Sequence, residues 1–367
     1  MKSFFKTNLW YIAATIIVAL VLASCGQKNN DPLKPTPPKE QTENKLHEDP
    51  YKAEFILQEC HTHGPTTWHG NGNMEETKFF TTSQKITYVL DKEHGWGPAE
   101  DSPKSFKVKC GTDFHKDIPE QPSSPFYTLV IKYYNKAGEE ITNQFLTNGQ
   151  EKIHQHFFIP QAKSVREWTA EGTGEALKIP KDKDGALDIM QYIYLDTDPW
   201  NGSWANKEPE DIKLIGEKDP RGFKGVLRFN NFEDVKELAG KFYELDVEIA
   251  LMHSRTSKFD PKKTLSKTET PSPAKAPSKE QRGTDFWDLN TNVHFIVYCS
   301  PDETLETSVY NEEDEEIAPK FDQLEDDAEK DFIKRMAKAW EITLDQATYD
   351  AFYCLWGTSA GHVDPNI

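Results

Sequence analysis

The chain has 367 residues, with 61 acidic against 43 basic side chains and a formal net charge of −18. This length is enough for two domains of ordinary size. An acidic chain repels phosphates, so the composition argues against nucleic acid or anionic lipid head groups as partners.

The N-terminus has the three-part layout of a secretory signal peptide. Lys2 and Lys6 supply positive charge, residues 9–22 are almost wholly apolar, and small residues then lead into Cys25. The apolar run is shorter than the roughly 20 residues that span a bilayer comfortably. Residues 1–24 are therefore predicted to be a signal peptide that is removed on export.

The last four residues of this segment, Leu22-Ala23-Ser24-Cys25, resemble the lipobox of bacterial lipoproteins. In that family the cysteine sulfur receives a diacylglycerol, cleavage precedes the cysteine, and the new amine is acylated. The resemblance implies that Cys25 anchors the protein to membrane lipid through acyl chains such as palmitate. In family members that stay in the inner membrane, an Asp often follows the cysteine. Gly26 has that position here, so the resemblance implies the outer membrane, with the protein on either its periplasmic or its surface face.

Residues 25–50 follow as a predicted disordered tether. The segment is rich in Pro, Lys, Glu, Gln and Asn and has no apolar periodicity. Such a composition favours an extended, solvated chain over a packed core.

Period-two patterns dominate from residue 51 to about residue 305 and predict a mainly β fold. The strand-like segments are AEFILQECHTH, QKITYVL, SFKVKC, FYTLVIKYYN, EKIHQHFFI, DIMQYIYLD, KGVLRFN, YELDVEIALMH and TNVHFIVYCS. Short strands separated by turns suggest antiparallel β-sandwiches. We predict two consecutive β-domains, a His-rich one at 51–165 and a second at 166–305.

Two segments differ from this pattern. Residues 254–285 are rich in Ser, Thr, Pro and Lys and are predicted to be a disordered insertion in the second β-domain. Residues 306–367 combine an acidic segment with two helical patterns, the second preceded by a capping-box sequence from Thr343 to Gln346. They are predicted to form a short C-terminal helical unit.

Clustered histidines are the strongest indication of chemistry among the 11 in the chain. Alternate strand residues face the same side about 7 Å apart, so a His-x-His pair can direct two imidazoles at one metal ion. Imidazole suits Zn, Cu, Ni and Fe. The predicted metal ligands are His61, His63, His69, His154 and His156.

Other readings of these histidines stay open. His154 and His156 have aromatic neighbours and are also compatible with hydrogen-bonded core positions. His253 shares strand parity with Leu245, Val247, Ile249 and Leu251, so an inward-facing core histidine is favoured there.

The aromatic and sulfur side chains suggest further sites. Trp200 and Trp204 lie in a polar loop and can either bind a ligand such as a sugar or cap the core. Cys60, Cys110, Cys299 and Cys354 form an even set in an oxidising compartment, which predicts two disulfides with three possible connectivities. We favour Cys60–Cys110 and Cys299–Cys354, because each pair lies within one region.

These features favour a non-enzymatic capture lipoprotein. It would bind a transition metal (Zn, Cu or Fe) or haem through the histidines and deliver it to an outer-membrane transporter. The layout resembles that of the substrate-capture lipoproteins of Gram-negative bacteria. The alternatives are a glycan- or protein-binding lipoprotein with structural histidines and, third, a metal-dependent hydrolase, for which the usual catalytic motifs are absent from the sequence.

Overall fold

Two β-sheets form the framework of the protein in the computed structural model. The structure describes residues 45–62, 68–69, 83–110, 126–169, 171–178, 189–202, 211–229, 242–260, 277–299 and 307–354. Within these residues the fold is mainly β with a short helical unit near the C-terminus, which confirms the predicted fold class.

The strands coincide with the segments that the alternation predicts, and shorter strands lie between them. In chain order they are β1 (Lys52–Thr62), β2 (Trp68–His69), β3 (Ser83–Asp91), β4 (Gly95–Pro98), β5 (Ser105–Cys110), β6 (Phe126–Tyr134), β7 (His154–Pro160), β8 (Arg166–Thr169), β9 (Gly172–Ala176), β10 (Met190–Tyr194), β11 (Thr197–Asp198), β12 (Lys213–Leu214), β13 (Lys224–Phe229), β14 (Phe242–His253), β15 (Phe286–Cys299), β16 (Val309–Tyr310) and β17 (Glu316–Ile317). The helices are α1 (Lys279–Thr284), α2 (Asp327–Trp340) and α3 (Leu344–Cys354).

The first sheet has the strand order β10-β13-β6-β1-β3-β4, with β2 paired to β1. The second has the order β5-β15-β14-β8-β9, with β7 also paired to β14. Neighbouring strands are antiparallel except β5 and β15, which are parallel. Two small ribbons, β11-β12 and β16-β17, complete the pairing among the described strands.

The core lies between the two sheets, and its side chains follow the alternation of the strands. In β1, Ala53, Phe55 and Leu57 are fully buried, as the inward positions of a half-buried strand should be. Aromatic rings from opposite sheets meet in this layer: Phe229 and Phe295 have ring centroids 5.1 Å apart. This common layer binds the two sheets into one unit.

Both sheets take strands from both sides of residue 165, where the sequence suggests a domain boundary. β1, β3, β4 and β6 join β10 and β13 in the first sheet, while β5 and β7 join β14 and β15 in the second. The described residues from 46 onward accordingly belong to one compact unit. Strand patterns report which face of a strand is buried but not which strand is its partner, so the interleaving could not be read from them.

The C-terminal helices cover the outer face of the second sheet. One side of α2, including Phe332, Ile333 and Met336, packs with Phe242 and Tyr298 of β14 and β15 in a separate apolar cluster. The predicted capping box is present before α3. The Thr343 hydroxyl accepts from the Gln346 N–H, and the Gln346 side chain accepts from the Thr343 N–H.

Parts of the predicted insertion at 254–285 are ordered in the structure. Residues 261–276 lie outside the described residues, but α1 begins after a capping box in which the Ser278 hydroxyl accepts from the Gln281 N–H. Lys258 and Gln281 are buried. Among the described residues, no helix is long and apolar enough to cross a membrane.

Candidate metal site

Three polar side chains meet at one end of the second sheet, each from a different neighbouring strand. His253 is the last residue of β14, and its partner in the ladder to β7 is His154. On the opposite side of β14, β15 contributes Asp288. Because the strands are hydrogen-bonded to each other, the backbones that carry these three side chains are held at fixed spacing.

A β-bulge directs Asp288 into the cluster. Leu251 of β14 pairs with Leu289 of β15. The next pair joins Met252 to Trp287, so Asp288 is the extra residue of the ladder. A bulge interrupts the alternation of a strand and turns one side chain away from its regular direction. The Asp288 side chain is only 7% exposed as a result of its place in the cluster.

The fourth member, His47, comes from the segment that precedes β1. Its side chain is fully buried, whereas Leu46 is 60% exposed and Glu48 is exposed. The imidazole packs against Phe145, with ring centroids 4.2 Å apart. The predicted tether, residues 25–50, thus ends with residues that belong to the folded unit. An isolated histidine in a polar segment carries no periodic pattern that could have predicted this.

The donor atoms of the four side chains converge. The carboxylate Oδ2 of Asp288 lies 3.2 Å from His154 Nε2, 3.3 Å from His253 Nδ1 and 3.6 Å from His47 Nε2. His47 Nε2 and His253 Nδ1 are 3.2 Å apart. All four donor atoms lie within 4.8 Å of one another.

Backbone carbonyls define the tautomers of two of these imidazoles. Nδ1 of His47 lies 2.9 Å from the Glu48 carbonyl, and Nδ1 of His154 lies 2.8 Å from the Gln150 carbonyl. A carbonyl oxygen can only accept, so both Nδ1 atoms carry the proton. In the neutral rings, each Nε2 then presents a lone pair to the cluster. Metal-binding histidines are oriented by the same kind of hydrogen bond.

Burial favours the neutral form of His47 and His154. It lowers the pKa of His47 from 6.5 to about 4, and it also lowers the pKa of His154. Burial by itself would raise the pKa of Asp288, but the neighbouring imidazoles of His154 and His253 outweigh it and hold that pKa well below the usual range. Neutral imidazole and ionised carboxylate are the states that bind metal ions.

The four groups can therefore hold a metal ion. Two Nε2 lone pairs, the Asp288 carboxylate and His253 Nδ1 form an electron-rich cluster that a cation would stabilise. Donors around a tetrahedral zinc ion at about 2.0–2.1 Å lie about 3.3 Å apart, which matches the closest spacings here. Three imidazoles and one carboxylate suit zinc and other first-row transition metals.

A buried ion-pair network supports the backbone next to the cluster. The Lys258 ammonium contacts the Asp219 carboxylate at 2.6 Å and donates to the carbonyls of Pro220 and His154. Its burial lowers the Lys258 pKa to about 8. The carboxylate of Asp196 accepts four backbone N–H groups of residues 221–224 and so fixes the adjoining loop. This network holds the start of β7, and hence His154, in place.

Of the predicted ligands, His154 belongs to the cluster and His156 does not. His156 Nε2 lies 2.7 Å from the Tyr133 hydroxyl, and its Nδ1 lies 3.2 Å from the Arg221 carbonyl. Burial lowers the His156 pKa to about 3. Both ring nitrogens thus have hydrogen-bond partners within the core.

The structure does not describe the side chains of the other predicted histidines, His61, His63 and His69. The backbone register of β1 and β2 places His61 opposite His69, which brings the two residues close together. His63 lies outside the described residues. A second metal site formed by His61, His63 and His69 stays a prediction.

The remaining predicted residues are only partly described. Trp200 is partly buried against the core, with its ring centroid 6.2 Å from that of Phe223. Cys110 is buried, and the parallel register of β5 and β15 places it opposite Cys299. Trp204 and Cys25 lie outside the described residues, as do the side chains of Cys60, Cys299 and Cys354, so both the Trp loop and the cysteine pairing stay predictions.

Sequence reasoning missed three of the four clustered residues as ligands. The parity of His253 predicts an inward side chain, which the structure has at 1% exposure, but it does not predict a polar cluster. Asp288 is concealed by its bulge. In the sequence Asp288 shares its strand parity with Asn290 and Asn292, which predicts a solvent-facing side chain and not a ligand.

Comparison with known proteins identifies no relative. No protein-family model matches the chain, and neither a curated protein nor a solved structure shows significant similarity to it. The site must therefore be interpreted from its own geometry.

Proposed function

We propose that this chain is an exported lipoprotein that binds one transition-metal ion between His47, His154, His253 and Asp288. The observation that carries the proposal is the convergence of imidazole lone pairs and a carboxylate in a buried cluster. The spacing and donor set favour zinc, and the buried rings around the cluster favour a bare ion over haem.

The proposal extends to the place and task of the protein. Acylated Cys25 would anchor it to the outer membrane, and binding without catalysis would make it a metal-capture protein that serves an outer-membrane transporter. Four protein ligands leave no coordination position for a substrate, which supports binding over hydrolysis. Replacement of Cys25 by Ala should release the protein from the membrane fraction.

The test of metal binding is elemental analysis of tag-free protein that begins at Gly26. After exposure to a mixture of Zn, Cu, Fe and Ni and extensive dialysis, about one ion per chain is expected. His253→Ala and Asp288→Asn should each reduce the bound metal to a small fraction of this value. Changing a residue that only hydrogen-bonds to a metal ligand typically weakens metal affinity by roughly 10–100-fold. Loss of a ligand itself should weaken it further.

His94→Ala is the matched control, because His94 is an exposed histidine whose partner is Asp91 on the surface. Circular dichroism of every variant establishes that the fold is retained. Absence of bound metal in the folded wild-type protein, together with no Soret band on titration with haem, would refute metal capture and favour a glycan- or protein-binding role.

A further inference from the structure

The four ligands differ in how they are attached to the fold. His154, His253 and Asp288 lie on three adjacent, hydrogen-bonded strands of one sheet. His47 belongs to no strand and precedes β1. Three ligands are thus part of a rigid framework, while the fourth depends on a short segment that we call the strap, residues 46–51.

The strap lies mostly at the surface, with His47 and Pro50 as its buried residues. Leu46 is 60% exposed and Tyr51 is 40% exposed, and both Glu48 and Asp49 are exposed. The His47 side chain between them has no exposure. Its ring is in contact with those of His154 and His253, at centroid distances of 4.9 and 5.2 Å. His47 therefore lies between the other three ligands and the solvent on this side.

The exposed residue Glu48 makes several of the hydrogen bonds that hold the strap. The Glu48 carboxylate accepts from the side-chain amides of Gln144 at 3.1 Å and Asn135 at 3.0 Å. The Glu48 N–H donates to the Gln144 side chain at 2.8 Å. At the other end, Tyr51 is fixed by backbone hydrogen bonds to Tyr134 and Leu90, where β1 begins. The hydrogen bonds between Glu48 and Gln144 are exposed, and exposed hydrogen bonds open more readily than those of core strands.

We propose that the strap is the gate of the metal site. When Glu48 releases Gln144 and Asn135, the strap withdraws His47 and exposes three preformed ligands with one open position. The ion binds there from solvent, and return of His47 closes the coordination and buries the ion. The inference rests on the proposed metal binding and explains how a closed four-ligand site can exchange its ion.

Two variants separate a gate from an ordinary ligand. Loss of any ligand speeds dissociation, but only loss of the gate speeds association. Glu48→Ala removes the two hydrogen bonds that the Glu48 carboxylate accepts and leaves all four ligands intact. If the open strap has a population of about 1–10% in the wild type, freeing it should raise the association rate constant about 10- to 100-fold. His47→Ala should also associate faster, with weaker final affinity, whereas His253→Ala should show no acceleration.

The experiment is stopped-flow mixing of metal-free protein with Zn²⁺ in the presence of a chromophoric chelator. Glu312→Ala, which removes an exposed carboxylate from the acidic segment far along the chain, is the matched control and should associate like the wild type. Hydrogen exchange of residues 46–51 should slow on addition of zinc, because binding fastens His47.

The outcomes distinguish the gate from the metal site itself. If the wild type binds zinc but Glu48→Ala and His47→Ala associate at the wild-type rate, the gate is refuted and metal binding stands. Unchanged exchange of residues 46–51 on zinc addition would likewise refute the gate. If the wild type binds no metal, the proposed function fails and the gate fails with it.

Discussion

At the scale of single residues, two histidines of β7 show that equal sequence patterns can lead to different roles. His154 and His156 are both fully buried on the same strand. His154 lies at the end of the strand, opposite His253, and reaches the Asp288 carboxylate. His156 lies one pleat further along, where the Tyr133 hydroxyl and the Arg221 carbonyl are its partners.

Tyr88 is another residue whose environment is set by the opposite sheet. It lies on β3 of the first sheet, and its hydroxyl donates to the Asn292 carbonyl on β15 of the second at 2.7 Å. Burial, and to a lesser extent the charge of Asp246, raises the Tyr88 pKa from 10.0 to about 12. The neutral phenol is therefore favoured in the folded protein.

This shift predicts a loss of stability at alkaline pH. The folded pKa of Tyr88 exceeds its unfolded value, so its contribution is complete below pH 10 and is lost as pH rises toward 12. In that interval the free energy of unfolding should fall by up to about 1.4 kcal/mol per pH unit from this group. Urea unfolding of the wild type and Tyr88→Phe at pH 8.5, 9.5 and 10.5 measures the effect.

Tyr88→Phe should be less stable than the wild type at pH 8.5, by about 0.5–1.5 kcal/mol for the lost hydrogen bond. The difference should shrink at pH 10.5, because the variant has no phenol to titrate. A difference between the two proteins that is constant across this range would contradict the prediction.

At the scale of secondary-structure elements, local signals and tertiary contacts contribute differently. The capping box at Thr343 and Gln346 is a local signal, and α3 follows it as predicted. The α2 pattern likewise places Phe332, Ile333 and Met336 on one buried face. The bulge at Asp288 has no such signal, because it depends on how β15 pairs with β14.

Packing of α2 on the second sheet predicts a stability effect that is independent of the metal site. Ile333 is fully buried between the helix and the sheet. Ile333→Ala should lower the free energy of unfolding by about 2–5 kcal/mol through lost burial and a residual cavity. Chemical denaturation followed by circular dichroism measures this loss.

The same substitution at Ile317, which is 37% exposed, is the matched control and should change stability by about 0.5 kcal/mol or less. Metal content should remain at the wild-type value in both variants, because the α2 cluster lies on the opposite face of the sheet from the core. Equal losses of stability in the two variants would contradict the assigned packing.

At the scale of the whole molecule, the metal site connects parts of the chain that are distant in sequence. His47 and His253, 206 residues apart, have donor atoms 3.2 Å apart. An ion bound there would link the strap to β7, β14 and β15. Because these strands belong to the shared core, binding should stabilise the folded unit as a whole.

Global stability should therefore depend on metal. At free zinc 100 times the dissociation constant, the free energy of unfolding should rise by about 2.7 kcal/mol, and Tm should rise with it. Differential scanning calorimetry of metal-free protein with and without zinc tests this. A chelator should reverse the increase, and Ca²⁺, which prefers oxygen ligands, should produce none.

His253→Ala provides the necessary comparison, since zinc can also bind histidines of the unfolded chain. In this variant zinc should leave Tm unchanged or lower it. If zinc raises the Tm of His253→Ala as much as that of the wild type, the stabilisation arises elsewhere in the protein.

Much of the fold followed from the sequence by itself. The class, the long strands, the C-terminal helices and the capping box were all determined by residues near one another in the chain. Alternating burial, as in Ala53, Phe55 and Leu57, is a local property, because it depends only on the geometry of a single strand. The same reasoning predicted that His253 faces inward.

Only the tertiary structure decided which strands are partners and which polar groups meet. Pairing depends on contacts between distant residues, so the interleaving of strands across residue 165 has no local signal. His47 and Asp288 joined the cluster for the same reason: one lies in a polar segment without periodicity, and the other is turned inward by a bulge. A metal site built from four separate segments is defined by distances between donor atoms, and those distances exist only in the folded protein.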